Sequence, residues 1–413
     1  MSQKKTLAII GGGAAGMAAA IEASGQGVHV VLYESQSRLG RKLLATGNGR
    51  CNFSHRGFRD SNYHGCHPHF VHDALARFDE ADTLAFFEAL GLAWTVDARA
   101  RYYPESLQAS AVLDVLRLVI EERGVELHTD TRITSVRPRS KGGFDLRWKG
   151  GGQAVADAVI VATGGEAAPK LGGTRDGYKL LSALGHTMIE TAPGIVQLVC
   201  DVSSLKAANG LKRDVRLTLR ADGKSIASDG GELLVTNYGI SGPPVLQCAG
   251  HAVRALSEGK RVQAEIDFFP ELSEKAIRER LQARHATHPQ RRAAAFFVGL
   301  LPRLLAQCAL KACGIRQDDA LDPHRINALA RQLHAWRLPV QGSHGFAEAQ
   351  VTIGGIDTAD FDSASMQSWM VPGLYACGEV LDIDGDCGGY NLQWAWSSGR
   401  LAAVSAVSEL LSI

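Results

Sequence analysis

The segment TLAIIGGGAAGMAAA, close to the start of the chain, constrains the fold more than any other stretch. An apolar run over residues 6–10 predicts a buried strand, and the Ala-rich run after the glycines predicts a helix to about Ser24. A second apolar run, over residues 27–34, predicts another strand. Strand, glycine turn, helix and strand in this order indicate the opening of a doubly wound parallel sheet, so we expect an α/β fold.

The glycine turn has the spacing of a dinucleotide fingerprint. Gly11 permits the tight turn, Gly13 lets the backbone approach a pyrophosphate, and Gly16 lets helix and strand pack closely. The N–H groups at the start of the helix, at Ala14 and Ala15, are then free to face the phosphates. The turn therefore predicts a site for a dinucleotide. An ordinary glycine turn of an α/β sheet is the alternative.

Three acidic residues bear on the kind of dinucleotide. Glu34 ends the second strand, where a carboxylate is expected to bind ribose hydroxyls and to repel the 2′-phosphate of NADP. Glu379 and Asp382 follow an apolar strand in GLYACGEVLDIDG, which suits the ribityl hydroxyls of a flavin. The strand and small-residue turn VIVATGG, residues 159–165, is expected to return near the first nucleotide. Together these segments favour FAD over NAD. No second G-x-G-x-x-G follows residue 16, so any NAD(P)H is expected to dock transiently as a reductant.

Composition excludes several classes of protein. The 413 residues are 45% hydrophobic, which is incompatible with a disordered chain. Lys and Arg number 44 against 43 Asp and Glu, so we expect no overall attraction to nucleic acid or to an anionic membrane. No apolar run approaches the roughly 18 residues that span a bilayer. The eight cysteines form no C-x-x-C pair, which is typical of free thiols in the cytoplasm.

Changes in the hydrophobic pattern along the chain predict three structural regions. An FAD-binding domain is expected from residues 1–192 and 350–413, because both ends carry buried strands and glycine turns. Period-2 alternation predicts a β-rich inserted domain over 193–271 and 338–349. A helical subdomain is expected over 272–337. The chain favours no particular oligomeric state.

Two segments carry residues that are typical of other functions, a metal site and an RNA-binding surface. HGCHPHFVH, residues 64–72, is rich in metal-ligating side chains, but its spacing matches no tetrahedral zinc scheme, so no metal is expected. The helical segment 272–337 carries twelve Lys and Arg against five Asp and Glu, an excess of positive charge that RNA-binding surfaces also have. Its aromatic residues are few, so a solvated helical face is favoured and a nucleic-acid partner is not expected.

The loop GRKLLATGNGRCNF, residues 40–53, combines cations, amides and glycines. Glycines let backbone lie against a flat ring, and Asn amides match the donor–acceptor edge of a flavin pyrimidine. With LLVTNYGISGPP and GEVLDIDGDCGGYNLQWAWSSG, this loop resembles the YhiN/BaiN-like FAD flavoproteins, also called the aminoacetone oxidase family. The resemblance runs from one end of the chain to the other. It implies a glutathione-reductase-type FAD-binding Rossmann domain with inserted β-barrel-like and small helical domains.

The resemblance also implies cofactor contacts by position. Facing the FAD phosphates or ribityl chain are Arg41 and Lys42. Lining the isoalloxazine ring are Thr46, Gly47, Asn48, Gly49 and Arg50. On the adenosine side are Ile133, Thr163, Gly164 and Gly165. Around the ribityl chain and flavin are Gly378, Glu379, Asp382, Gly389, Asn391 and Leu392.

These features predict an FAD-dependent oxidoreductase with non-covalent FAD. Hydride is expected to reach flavin N5 from a small-molecule substrate, with Arg50 and Tyr238 as candidates for positioning that substrate. Three activities stay open at this point. They are oxidation of an aminoacetone-type amine, NAD(P)H-dependent reduction of a carbon–carbon double bond as in BaiN-like members, and modification or binding of RNA. The missing second nucleotide motif favours the first over the second.

Overall fold

A computed structural model describes residues 4–412 of the chain. Within that range the strands, numbered in chain order, are β1 Thr6–Ile10, β2 His29–Tyr33, β3 Ser54–His55, β4 Tyr63–His64, β5 Trp94–Val96, β6 Arg101–Pro104, β7 Glu126–His128, β8 Ile133–Pro138, β9 Phe144–Trp148, β10 Gln153–Ala156, β11 Ala158–Val161, β12 Met188–Gly194, β13 Leu198–Cys200, β14 Lys212–Ala221, β15 Lys224–Val235, β16 Gly239–Ser241, β17 Val262–Asp267, β18 Trp336–Ser343, β19 Val351–Ile356, β20 Leu374–Ala376 and β21 Asp384–Gly385.

The α-helices in the same range are α1 Ala14–Ala23, α2 Val71–Arg77, α3 Glu80–Ala89, α4 Ala109–Glu122, α5 Asp176–Ser182, α6 Pro243–Ser257, α7 Glu274–Thr287, α8 Ala293–Phe296, α9 Arg303–Ala312, α10 Pro323–His334 and α11 Tyr390–Ser412. Short 3₁₀ segments lie between them, including Lys42–Gly49 and Gly378–Val380. None of the helices in the described range is long and apolar enough to cross a membrane.

The chain divides into two compact units, Met1–Ala192 with Gln350–Ile413, and Pro193–Ala349. The first unit is built on a parallel sheet with the strand order β20–β11–β1–β2–β7. Its inner strands are continuous apolar runs because helices cover both faces of such a sheet. This sheet confirms the predicted α/β Rossmann-type fold. Since β20 comes from the C-terminal part, both ends of the chain build one sheet.

The closing helix α11 is buried along much of its length. Trp394 and Trp396 are at most 2% exposed, and the indole of Trp396 donates to Phe53 O at 2.9 Å. Gly399 lies where α11 meets α1, and a Cβ atom there would be 2.4 Å from Ala15 O. Only a glycine permits this approach of the two helices, which holds the C-terminal helix beside the first turn of α1.

The second unit contains a closed barrel of antiparallel neighbours in the order β13–β16–β15–β14–β17–β18. The helical segment 272–337, which the sequence sets apart, belongs to the same compact unit as the barrel. Phe268 N–H, just after β17, donates to Leu333 O of α10 at 3.0 Å. The apolar face of α10, with Ile326 and Leu329, is buried.

Replacing Gly399 with Ala tests the contact between α1 and α11. Alanine is the better helix former by about 1 kcal/mol, so an exposed site would gain stability. Here the added methyl meets the Ala15 carbonyl at 2.4 Å, and overpacking of this kind costs about 1–3 kcal/mol. We therefore expect a lower Tm and weaker FAD retention, measured by thermal unfolding and flavin absorbance. The exposed Ser408→Ala in the same helix is the control, and an unchanged Tm for Gly399→Ala would contradict this packing.

Candidate functional site

The glycine turn after β1, residues 11–13, leaves backbone atoms beside an open space, and we call this turn the glycine cradle. Gly11 has φ +110° and lies against Ala162, whose carbonyl oxygen is 2.4 Å from the position of a Cβ at Gly11. A Cβ at Gly16 would lie only 1.8 Å from Gly11 O. At Gly13, by contrast, a Cβ would meet no atom within 4 Å. Two of the fingerprint glycines are thus required by the fold, while Gly13 borders open space.

Helix α1 starts at this open space. Its N-cap residue is Gly13, and no side chain in the described part of the chain caps it. The first N–H groups of a helix lack intrahelical acceptors, and the helix dipole makes this end positive. Ala14 is half-buried and Ala15 is buried beside them. The residues present therefore fit a pyrophosphate, whose oxygens accept hydrogen bonds from such N–H groups.

Glu34, at the end of β2, is buried and firmly held. Its carboxylate accepts hydrogen bonds from Gly12 N–H at 2.8 Å and from Gln36 N–H at 2.7 Å. Ser35 Oγ donates a third hydrogen bond to it at 3.1 Å, so of its roughly four acceptor positions about one is left for a ribose hydroxyl. The backbone of Glu34 pairs with the segment that leads into β8, since Thr131 N–H donates to Glu34 O at 2.8 Å. Ile133, the predicted adenine contact, begins that strand and is 3% exposed.

The turn after β20 brings residues from distant parts of the chain together. Gly378 has φ +72°, and a Cβ there would lie 2.8 Å from the Ala15 Cβ of α1. Glu379 accepts hydrogen bonds from Lys42 Nζ at 2.8 Å and from Thr352 N–H at 2.7 Å. The Glu379 carboxylate is also 3.9 Å from the position of a Cβ at Gly164. Several predicted cofactor residues therefore meet around one carboxylate.

The remaining residues of the 163–165 turn are closely packed. A Cβ at Gly165 would lie 2.4 Å from Thr352 Oγ1, and Thr163 Oγ1 lies 1.9 Å from the position of a Cβ at Gly177. Arg41, unlike its neighbour Lys42, is exposed and donates to Gln36 Oε1 at 2.5 Å and to Lys170 O at 3.2 Å. Arg41 thus stands next to the segment that follows Glu34.

The chain matches a known protein family over nearly its whole length. A family model described as HI0933-like protein Rossmann domain matches residues 5–405. The chain belongs to the HI0933-like family. This confirms the resemblance stated from the sequence motifs, and with it an FAD-dependent oxidoreductase.

Relatives align over nearly the whole chain. The chain is 36% identical to the 3-dehydro-bile acid delta(4,6)-reductase of Clostridium scindens over 408 residues, covering 98% of this chain and 99% of the relative. It is 31% identical to the ribosomal RNA dihydrouridine synthase of Haemophilus influenzae, covering 98% and 99%. Among solved structures, the 3-ketosteroid delta1-dehydrogenase of Sterolibacterium denitrificans aligns with 98% of this chain and 100% of its own, at 11% identity and a TM-score of 0.51. That last likeness concerns the fold alone.

The loop of this HI0933-like protein that the sequence assigns to the isoalloxazine ring reverses direction sharply. Gly47 and Asn48 both have positive φ, at 57° and 56°, after an extended Thr46. Thr46 Oγ1 donates to Leu43 O at 2.6 Å and fixes the start of the reversal. Asn48, Gly49 and Arg50 are exposed. The loop therefore presents backbone and two polar side chains to its surroundings, which fits a planar polar ring.

Several C-terminal residues also fix backbone, a role that the sequence did not reveal. Asn391 Oδ1 accepts from Gly385 N–H at 2.8 Å, and its amide donates to Gly385 O at 2.8 Å. Asp382 is 3% exposed and accepts from Cys66 N–H at 2.8 Å. Gly389 has φ +105°, with Ser54 O 2.5 Å from the position of a Cβ. Their contacts with the cofactor, and those of the half-buried Leu392, stay predictions.

Sequence reasoning missed two residues next to residues 46–50, the loop predicted to line the isoalloxazine ring, which we call the flavin loop. Gln393 is fully buried, accepts from Ser54 Oγ at 2.6 Å and donates to Thr83 Oγ1 at 2.8 Å, which joins α11 to the strand after the loop. Tyr103 is 7% exposed, with Cε1 3.5 Å from the position of a Cβ at Gly47. A glutamine directly before the two tryptophans of an apolar helix was the available signal for the first. Nothing local marks Tyr103, because β6 is brought to the loop by tertiary pairing.

The histidines and cysteines that raised other functions have separate surroundings. His64, His67 and His72 pair with different carboxylates, at distances of 2.9, 3.5 and 3.2 Å. All eight cysteines lie in the described range and form no disulfide there. Burial raises the pKa of the Cys51 thiol to about 12, so this thiol beside the flavin loop is protonated at neutral pH.

The two predicted catalytic candidates belong to different units. Arg50 ends the flavin loop of the first unit and is exposed. Tyr238 belongs to the second unit, where its ring contacts the His344 ring with centroids 4.2 Å apart. Their roles toward substrate stay predictions.

A matched pair of glycine substitutions separates cofactor binding from folding. Gly13→Ala adds a methyl that meets no protein atom and has φ −81°, which alanine tolerates. We expect the apoprotein Tm to change little, while FAD affinity falls at least tenfold because the methyl occupies space next to the pyrophosphate.

Gly16→Ala is the contrasting variant. Its methyl would clash with Gly11 O, so we expect a loss of Tm together with the loss of FAD. Calorimetry of the apoproteins and titration with FAD measure both effects. A Gly13→Ala protein that binds FAD as tightly as the wild type would show that the cradle does not hold the phosphates.

Proposed function

We propose that this protein reduces a carbon–carbon double bond conjugated to a carbonyl group, with electrons that NAD(P)H delivers through FAD. The observation that carries the proposal is the chemistry shared by two relatives with different substrates. One is named a delta(4,6)-reductase of a 3-dehydro-bile acid, and the other a dihydrouridine synthase. Dihydrouridine is uridine with its C5–C6 bond saturated next to the C4 carbonyl. Both names therefore describe saturation of an unsaturated carbonyl compound.

Such a reduction needs a hydride at the β-carbon, a proton at the α-carbon and a group that stabilises the carbonyl oxygen. When bound and reduced by NAD(P)H, FAD would supply the hydride. Tyr103 is our candidate for the proton donor because its ring lies against Gly47, with Cε1 3.5 Å from the position of a Cβ there, and because its phenol carries a proton at neutral pH. Arg50, exposed at the end of the flavin loop, is suited to bind the carbonyl oxygen. Arg101 supports the Tyr103 ring, with its guanidinium carbon 5.6 Å from the ring centroid.

Oxidation of an aminoacetone-type amine, which the motif resemblance implies, is the competing activity. In amine oxidation the substrate gives hydride to FAD, whereas in reduction of a double bond the substrate receives it. The nucleotide site therefore does not distinguish the two activities. The names of the two relatives compared above do not describe the oxidation of an amine. The direction of electron flow decides between them.

An anaerobic two-step experiment tests the direction. Purified yellow protein is mixed with NADH or NADPH, and we expect loss of flavin colour with at least one of them. A steroid with a conjugated 4-en-3-one, or uridine in RNA, is then added, and we expect the colour to return with one equivalent of saturated product. Bleaching by aminoacetone but by neither nicotinamide nucleotide would overturn the proposal in favour of the amine oxidase.

Tyr103→Phe tests the proton donor. Removing the hydroxyl leaves the buried ring in place, so FAD content and the rate of bleaching by NAD(P)H should stay unchanged. Reoxidation by the unsaturated substrate should slow about 10²-fold or more, the usual contribution of a general acid. Rapid-mixing absorbance measures the two half-reactions separately. Equal reoxidation rates in the variant and the wild type would exclude Tyr103 as the donor.

A further inference from the structure

One face of the small sheet formed by β3, β6 and β5 carries Tyr103 together with two further polar residues. In the antiparallel pairing of β3 with β6, His55 lies opposite Arg101 and Ser54 lies opposite Tyr102. Directly opposed side chains share a face of the sheet, and side chains alternate between faces along each strand. His55 and Arg101 are therefore on the same face as Tyr103. Diagonal neighbours such as His55 and Tyr103 are about 7–8 Å apart, within reach of aromatic side chains.

The imidazole ring of His55 is fixed in position by three contacts. It stacks on the ring of Tyr390, at the start of α11, with centroids 4.6 Å apart and planes inclined by 20°. Gly388 lies beside the ring, since a Cβ there would be 3.6 Å from His55 Cδ2. Nδ1 is 2.8 Å from Arg56 O, and because a carbonyl oxygen only accepts hydrogen bonds, Nδ1 carries the proton. These contacts orient the ring and use its first nitrogen.

The second ring nitrogen of His55 is available to a ligand. No group within residues 4–412 forms a hydrogen bond with Nε2, and the side chain is half-buried. The neighbouring Arg101 differs, because its guanidinium donates to Asp97 Oδ2 from Nε at 2.9 Å and from Nη2 at 2.6 Å. His55 therefore offers an unpaired nitrogen on the face of Tyr103, whereas the charge of Arg101 is already balanced.

We propose that His55 is a catalytic residue that donates a hydrogen bond from Nε2 to the carbonyl oxygen of the substrate, together with Arg50. This inference rests on the proposed function and adds a residue to its site. In an unsaturated carbonyl compound a single atom separates the oxygen from the α-carbon. The group that protonates this carbon and the groups that bind the oxygen must therefore be neighbours, as Tyr103 and His55 are.

The step is balanced in atoms and electrons. Hydride forms the new bond at the β-carbon, and the electron pair of the double bond moves toward the oxygen, where His55 and Arg50 stabilise the negative charge. The O–H bond of Tyr103 then breaks as the bond from hydrogen to the α-carbon forms. The phenolate regains its proton from water, so each turnover consumes one hydride and one proton.

The donor role of His55 predicts a pH dependence. Because Nδ1 already carries a proton, Nε2 donates only when the imidazole is charged, and imidazoles lose that charge between about pH 5 and 8. A rise in pH through this range should slow the transfer of hydride to the substrate. The titratable and charged groups around the ring are the Arg101–Asp97 pair, Tyr390, and Asp386 and Cys387 in the loop of Gly388.

Two variants of His55 test the proposal. His55→Phe keeps an aromatic ring against Tyr390 but has no nitrogen, whereas His55→Gln keeps a donor whose charge does not change with pH. In both, we expect flavin content, Tm and the rate of bleaching by NAD(P)H to stay unchanged. Reoxidation by the unsaturated compound that reoxidises the wild type should slow about 10²-fold or more in His55→Phe. His55→Gln should recover part of this loss, with a rate that is constant between about pH 5 and 8. His72→Phe, at an exposed histidine of the same unit, is the control.

The outcomes separate this inference from the proposed function. If His55→Phe is reoxidised at the rate of the wild type at every pH, His55 is not a donor, while the proposed reaction stands. If both variants are slowed equally and keep the pH profile of the wild type, the ring serves packing only and the inference is wrong. If no unsaturated carbonyl compound reoxidises the wild type after bleaching by NAD(P)H, the proposed function fails and the role of His55 fails with it.

Discussion

Close backbone contacts at Ala15 join the two ends of the chain. Gly399 of α11 lies against the Ala15 carbonyl, and Gly378 of the turn after β20 lies against its methyl. Neither contact leaves room for a side chain, so the packing depends on glycine at both positions. Because Ala15 lies in the first turn of α1, these contacts fix the C-terminal segments beside the N–H groups that fit a pyrophosphate. The N-terminal turn and the C-terminal turn thereby form one site.

An ion pair and hydrogen bonds to backbone N–H groups orient the carboxylates that packing brings together. The Lys42–Glu379 pair joins residues 337 positions apart, at 2.8 Å, and both side chains are partly shielded from water. Such a pair is strengthened by its shielding, and the backbone N–H of Thr352 further satisfies the carboxylate. Glu34 is held in the same manner by two backbone N–H groups. The carboxylates of the site are therefore oriented by the fold before any ligand binds, which lowers the entropy cost of binding.

Local patterns predicted the elements whose structure depends on local physics. The strand, glycine turn and helix of residues 6–23 and the carboxylate of Glu34 follow from periodicity and spacing, and the structure contains them. The roles of Asn391 and Asp382 in fixing backbone did not follow, since their partners Gly385 and Cys66 are chosen by how loops pack. Tyr103 was missed for the same reason. Its position against Gly47 depends on the pairing of β6 with β3.

By itself, the sequence determined the parallel sheet, the glycine turn and the FAD chemistry, because each depends on residue type and on spacing along the chain. Only the tertiary structure decided which distant residues share the site, including the Lys42–Glu379 pair, the contacts at Ala15 and the position of Tyr103. The physical reason is that contacts between residues hundreds of positions apart are selected by the packing of whole elements, and no local preference of either residue encodes its partner.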